Sequence, residues 1–274
     1  MSDFESYIKN EISKYKDTSI KDAMFYMIEG GKRFREKITF AILKGFGIKE
    51  EIAYPSACAL EFIQTYSLIH DDLPCMDDDE LRRGKPSCHI KYGEDVALLV
   101  GDALLTHAFS CISDSKEYSD SIKTKLISIL SSYAGLNGMI YGQLLDIKSE
   151  INDSKTINLV HDNKTAALFK YSCLSAMYIA GIDNYEYFEE LGKRIGIIFQ
   201  YQDDLFDVLK SEKEMGKSLS DKDNDKFTAV NLFKNVNDLK EYIDKMFIDL
   251  DEYLNDAQFD TSYLKDLLNK MRER

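Results

Sequence analysis

The sequence predicts an all-α protein, and three observations carry that prediction. Its only prolines, Pro55, Pro74 and Pro86, fall within 32 residues, and the 188 residues after Pro86 contain none. Proline in a helix interior costs about 3 kcal/mol, so long proline-free runs rich in Leu, Lys, Glu, Ala and Ile favour helix. Apolar residues recur at three- and four-residue spacing. Hairpin signals are nearly absent, and the Asn137-Gly138 pair lies inside a pattern that reads as helical.

In chain order, the first helix carries the stripe Phe4, Tyr7, Ile8, Ile12 and Tyr15, and Gly30-Gly31 ends the second. Further helices are expected at 33–46, 55–73, 94–112, 119–148, 156–180, 184–209, 227–233, 237–254 and 261–271. The three longest, of about 25 to 30 residues, would each run some 40 Å, a length that suits a large bundle around a deep central space. No linker, repeat or low-complexity tract intervenes, so one domain over residues 1–274 is expected.

Charged residues make up 30% and hydrophobic ones 44%, the balance of a soluble globular protein. The net charge of −13 sets nucleic-acid binding well back. The longest apolar stretch, 96–109, is interrupted by Asp102 and His107 and falls short of the roughly 20 residues of a membrane span. The N-terminus has no apolar signal-peptide core, so a cytosolic location is expected. Five scattered cysteines without a C-x-x-C pair suggest small buried residues rather than a zinc or disulfide framework.

Two acidic clusters stand out: Asp71, Asp72, Asp77, Asp78, Asp79 and Glu80 in one, and Asp203, Asp204 and Asp207 in the other. Either alone is a weak signal, and a solvated acidic face would explain it. Both, however, finish apolar runs, which turns carboxylates into a bundle, where charge needs counter-charge. Asp203 and Asp207 share a helix face with Gln200, and Gln64, Ser67, Leu68 and Asp71 form a similar stripe. Pro74 then breaks the helix, so Asp77 should reach back from a turn. Oxygen-only clusters suit hard cations, Mg²⁺ above all, held with phosphate oxygens. Basic residues gather at Lys32, Arg33 and Arg35, at Arg82, Arg83 and Lys85, at Lys164, and at Lys217 and Lys226. Guanidinium forks and ammonium charges recognise diphosphates, and metals let an acidic protein bind acidic substrates.

Taken together, SLIHDDLPCMDDDELRRGKP, GGKRFR upstream, and GQLLD, KTAAL and FQYQDDLFD downstream resemble the short-chain trans-polyprenyl diphosphate synthases. The motifs occur in family order across residues 28 to 230. The resemblance implies an all-helical isoprenoid synthase fold, a homodimer, and two aspartate-rich motifs facing each other across a cavity. Asp71, Asp72, Asp77 and Asp203 would hold three Mg²⁺ on an allylic diphosphate, with Mn²⁺ a substitute and Asp204 and Asp207 in support. Arg82, Lys164, Lys217 and Lys226 would clamp that diphosphate, with Gln143, Asp146 and Thr165 nearby. Lys32, Arg35, Arg83 and Gln64 would bind isopentenyl diphosphate, with Gln200 beside it. The allylic C–O bond would ionise, the neighbouring alkene would attack, and the released diphosphate would take the final proton. No covalent nucleophile is needed, and His70 reads as a satisfied interior histidine.

Tyr66 lies five residues before Asp71, about 7.5 Å deeper along the helix, where a ring would floor the cavity. With the two extra residues in the first motif, this is similar to bacterial farnesyl diphosphate synthases. A geranylgeranyl or geranyl product, a class I terpene cyclase and a non-catalytic subunit are the alternatives. The intact second motif and the Lys32, Arg35 and Arg83 set oppose the last two. Gln64, Glu80, Ala166, Ser220 and Phe227 depart from the usual family residues without removing a metal ligand or a diphosphate cation.

Overall fold

A computed structural model describes residues 3–148, 153–215 and 229–273. Helix dominates them, as expected. The first helix, α1 (Asp3–Ser13), buries Phe4, Ile8 and Ile12 and carries Asp3 and Glu5 in its first turn, where the helix dipole favours negative charge. Thr18 caps α2 (Ser19–Ile28) by accepting from the Lys21 N–H, and Gly30 closes it at φ 83°. After α3 (Phe34–Gly45) comes α4 (Tyr54–Asp71), with Pro55 in its first turn, where its missing N–H costs nothing. Next are α5 (Cys88–Tyr92), α6 (Glu94–Ser113), α7 (Asp120–Ala134), α8 (Met139–Lys148) and α9 (Ser154–Val160). The series ends with α10 (Ala166–Ile179), α11 (Tyr185–Met215), α12 (Val236–Tyr253) and α13 (Ser262–Arg272).

The core is built around α4 and α10, which are buried on nearly every face. Against α4 packs α6; against α10 pack α11, α3 and α7. Phe62, Phe169, Tyr171 and Phe188 are fully enclosed, and truncating such a ring to alanine costs about 3–5 kcal/mol.

Several expectations need correction. The helix expected over 119–148 breaks at Gly135–Gly138, where the Gly138 N–H turns back onto the Gly135 carbonyl. The one expected over 156–180 contains a π-helical turn, His161–Thr165, between α9 and α10. Of the three long helices only α11 is long, at 31 residues. A small antiparallel hairpin, β1 (Leu81–Arg82) with β2 (Lys85–Pro86), appears where no strand was expected. Its turn is made by Arg83 and Gly84, both at positive φ, the geometry two-residue hairpins require. By length and composition α6 is apolar enough to cross a membrane, contrary to the reading of its sequence. Here it is a core helix that buries Ala97, Val100, Leu104 and Ala108. Four cysteines are buried, but Cys75 is exposed. Lys217, Ser220, Lys226, Phe227 and the Asp207 side chain lie outside what is described.

Candidate active site

The helix α4 ends at Asp71 because the chain reaches Pro74 three residues later. Its inner face brings Gln64, Tyr66, Ser67, Leu68 and Asp71 to a cavity of about 900 Å³. Burial is the main influence on Asp71, and it outweighs the Lys164 ammonium and lifts the carboxyl to about 6. Asp77 sits on the exposed loop that follows, and its N–H donates to the Asp71 carbonyl at 2.9 Å, so the chain does reach back. Asp72 turns the other way. Fully buried at the end of an apolar helix, it takes its counter-charge from Arg82, which also reaches Asp79 at 3.0 Å.

Across the cavity, α11 presents Phe199, Gln200 and Asp203. Gln200 is held at both ends: its Oε1 accepts from Thr165 Oγ1 at 2.6 Å, and its Nε2 donates to Asp204 at 2.9 Å. Asp204 is itself buried, 3.7 Å from His161 Nε2. Burial holds His161 down at about 4 against the pull of the Asp146 carboxylate, so the ring is neutral near pH 7. The π-helical turn supplies Lys164, whose Nζ donates to Asp146 at 2.7 Å. It lies close against α8 at Gly142, where any Cβ would collide with the Lys164 backbone. Gln143, one residue on, has both side-chain amide atoms buried and without a protein partner.

The opposite rim is cationic. Gly31 lets the Arg33 and Arg83 guanidiniums pass close to the backbone. Arg83 also donates to the Glu29 carbonyl at 3.1 Å, at the end of α2. Lys32, Arg35 and Arg83 line the cavity. Arg35 lies 4.6 Å from the Phe169 ring centroid with its Nε unpartnered, and burial depresses its basicity. Arg33 also borders the cavity, but its guanidinium is taken up by carboxylates. Its left-handed backbone (φ 53°) is held by buried ion pairs to Glu5 and Glu61. Glu36 sits beside this group, its carboxyl pushed well above the usual range by burial and by Glu61.

Of the residues expected from sequence, the cavity therefore gathers Lys32, Arg35, Gln64, Tyr66, Asp71, Arg83, Gln143, Lys164, Thr165, Gln200 and Asp203. It does not gather Asp72 and Arg82, which are paired with each other, nor Asp77, which is exposed. The buried Arg33–Glu5–Glu61–Glu36 cluster and His161 were missed. Neighbouring glutamates on helical stripes look like surface, and only a tertiary contact reveals that they are inside. His70 is satisfied as expected, its Nε2 bonded to the Leu98 carbonyl at 3.1 Å.

Convergent carboxylates, an unpartnered amide and no cysteine among the described residues of the cavity wall make a donor set that fits a hard divalent cation with phosphate oxygens. The chamber brings carboxylates from two helices together with the cations Lys32, Arg35, Arg83 and Lys164. The chain belongs to the polyprenyl synthetase family, whose profile matches residues 17–258, and its chemistry class is prenyl transfer.

Its relatives carry two product names. It is 40% identical over 245 residues to the farnesyl diphosphate synthase of Bacillus subtilis (strain 168), covering 85% of this chain and 83% of that one. To geranylgeranyl pyrophosphate synthase 7, chloroplastic, of Arabidopsis thaliana it is 37% identical over 270 residues, 95% and 77% of the two chains. Among solved structures, the geranyltransferase from Helicobacter pylori complexed with magnesium and isoprenyl diphosphate superposes with a TM-score of 0.83. The two are 31% identical, with 100% of this chain and 99% of that one covered.

Proposed function

We propose that this chain makes farnesyl diphosphate, condensing isopentenyl diphosphate with dimethylallyl and then geranyl diphosphate. The observation that carries the reaction is that one cavity is lined both by the carboxylates Asp71 and Asp203, from two different helices, and by the cations Lys32, Arg35 and Arg83. Two diphosphates then have separate, complementary seats. Asp71, Asp72, Asp77, Asp203 and Asp207 are the residues that would hold Mg²⁺, or Mn²⁺ in its place, and Asp72 would have to leave Arg82 to do so. Bound metal supplies counter-charge to the departing diphosphate.

The protein's own part follows from its side chains. Lys164 and the unpartnered Gln143 amide offer donors to the allylic diphosphate, with Lys217 and Lys226 the further cations of this reading. Thr165 fixes the orientation of Gln200 next to the reacting carbons. Phe199, Leu68, Leu105, Met139 and Ile140 wall the space and keep water from the allylic cation. When the allylic C–O bond breaks, its electron pair leaves with diphosphate. The isopentenyl alkene supplies the pair for the new C–C bond, and a proton from the adjacent carbon goes to the released diphosphate.

Product length rests on Tyr66. It is buried on the cavity wall, with a partnerless hydroxyl that burial pushes up to about 12 and an edge-on contact to the His70 ring. A rigid ring below Asp71 stops a growing chain. The same reading takes residues 1–274 as one catalytic unit and the enzyme as a cytosolic homodimer. A solvent-facing apolar strip supports the dimer: Leu98 and Leu99 on α6 are 48% and 50% exposed, and Ile140, Leu144 and Ile147 project from α8. Purified protein given Mg²⁺ and both five-carbon diphosphates should yield a fifteen-carbon alcohol after dephosphorylation, read by mass spectrometry. Tyr66→Ala should lengthen it to twenty carbons. A twenty-carbon product from the parent would keep prenyl transfer and remove Tyr66 as the floor.

A further inference from the structure

Away from the chamber, α1, α4 and α6 bring together a set of side chains that prenyl transfer does not use. Glu11 comes from α1, Cys58 from α4, and His107 and Cys111 from α6, one helical turn apart. All four are buried, and none lines the cavity. A Glu11 carboxylate oxygen, a His107 ring nitrogen and Cys111 Sγ lie within 4.8 Å of one another. Cys58 Sγ stands 3.9 Å from Cys111 Sγ.

We propose that Glu11, Cys58, His107 and Cys111 bind a zinc-class divalent cation that ties the N-terminal helix to the core. Two thiolates on a tetrahedral zinc, each about 2.3 Å from the metal, stand about 3.8 Å apart, whereas a disulfide needs about 2.05 Å. One carboxylate, one imidazole and two sulfurs complete four-coordination with ligands that zinc favours. His107 Nε2 is buried without a partner, while Nδ1 is engaged by the Tyr15 hydroxyl. An outer hydrogen bond on one ring nitrogen is what fixes a metal-binding histidine for coordination through the other. Charge closes as well. Two thiolates and a carboxylate against a divalent ion leave one negative charge, and Lys14 Nζ, 2.6 and 2.7 Å from the two Glu11 oxygens, answers it. Plain packing accounts for the two thiols and Lys14 for the Glu11 charge; neither accounts for a buried, partnerless nitrogen on the His107 ring beside Cys111.

The test uses the full chain, reduced, equilibrated with zinc and then freed of excess by gel filtration in Mg²⁺ buffer. Elemental analysis should find about one zinc per chain. Cobalt in its place should give the visible bands of a tetrahedral ion and a thiolate charge-transfer band, which oxygen ligands at the catalytic aspartates cannot produce. Cys111→Ser and His107→Gln should each lose the retained zinc. Circular dichroism and retained prenyl transfer would show that the variants are folded, and Cys58→Ala, the mildest change, covers the case where they are not. Zinc absent from the parent, zinc retained equally by all three variants, or a Cys58–Cys111 disulfide in the unreduced protein would each overturn the site.

Discussion

Asp203 and Asp204 lie well inside a continuous 31-residue helix, whereas Asp71 and Asp72 end theirs and hand the chain to an exposed loop that carries Asp77. The two clusters are spelled almost alike. In α11 the helical rise sets the spacing, and the Thr165–Gln200–Asp204 hydrogen bonds lock it from outside. After α4, Asp71 has its place fixed by a helix, while Asp72 is tied to Arg82 and Asp77 stands on the loop with its N–H on the Asp71 carbonyl. One cluster is thus held by helix on both sides, and the other passes from helix to loop within its own length.

Experiments can break or sharpen that contrast. The largest effect should come from Asp203→Asn and Asp71→Asn, each lowering kcat on the order of 10³-fold in steady-state assays. Parity between them says that both walls contact the developing charge. Asp77→Asn should cost roughly tenfold in kcat/KM, and should show it chiefly as a higher Mg²⁺ requirement. A loss equal to that of Asp203→Asn would mean that the loop is as fixed as the helix. Removing the lock with Thr165→Val should lower kcat by up to about tenfold, the worth of one buried hydrogen bond, with little change in KM.

The smallest effect concerns the cationic rim. Glu36 has a folded pKa raised by burial, so its contribution to stability is complete below the usual carboxylate range and is lost as pH rises toward the folded value. Glu36→Gln carries no such proton dependence. Its Tm should exceed the parent's by a few degrees at about pH 8, with the gap closing toward about pH 5, in paired thermal melts.

Much of this was legible in the sequence because helices announce themselves by period and the motif residues occur in family order. The misses share a cause. The π-helical turn leaves the apolar period of α9 and α10 intact and is invisible to a pattern count. The hairpin turn rests on Arg83 adopting a backbone conformation that composition does not suggest. Arg33 and Arg35 are spelled identically and both border the chamber, yet Arg33 is tied to Glu5 and Glu61 while Arg35 packs on the Phe169 ring. Two positions along the start of a helix point different ways, and what each one meets is decided by the neighbouring helices.

The wide turn at His161–Thr165 also bears on ancestry. A π turn holds one residue more than α-helix needs over the same length, and it absorbs the surplus locally. Excising one residue there would heal the ladder while α9 and α10 each kept their present faces. Lys164 and Thr165 would then lose the bulge that now delivers one to Asp146 and the other to Gln200. The turn thus has the form of a single-residue insertion whose surplus lets neighbouring residues reach two different partners, Lys164 to Asp146 and Thr165 to Gln200.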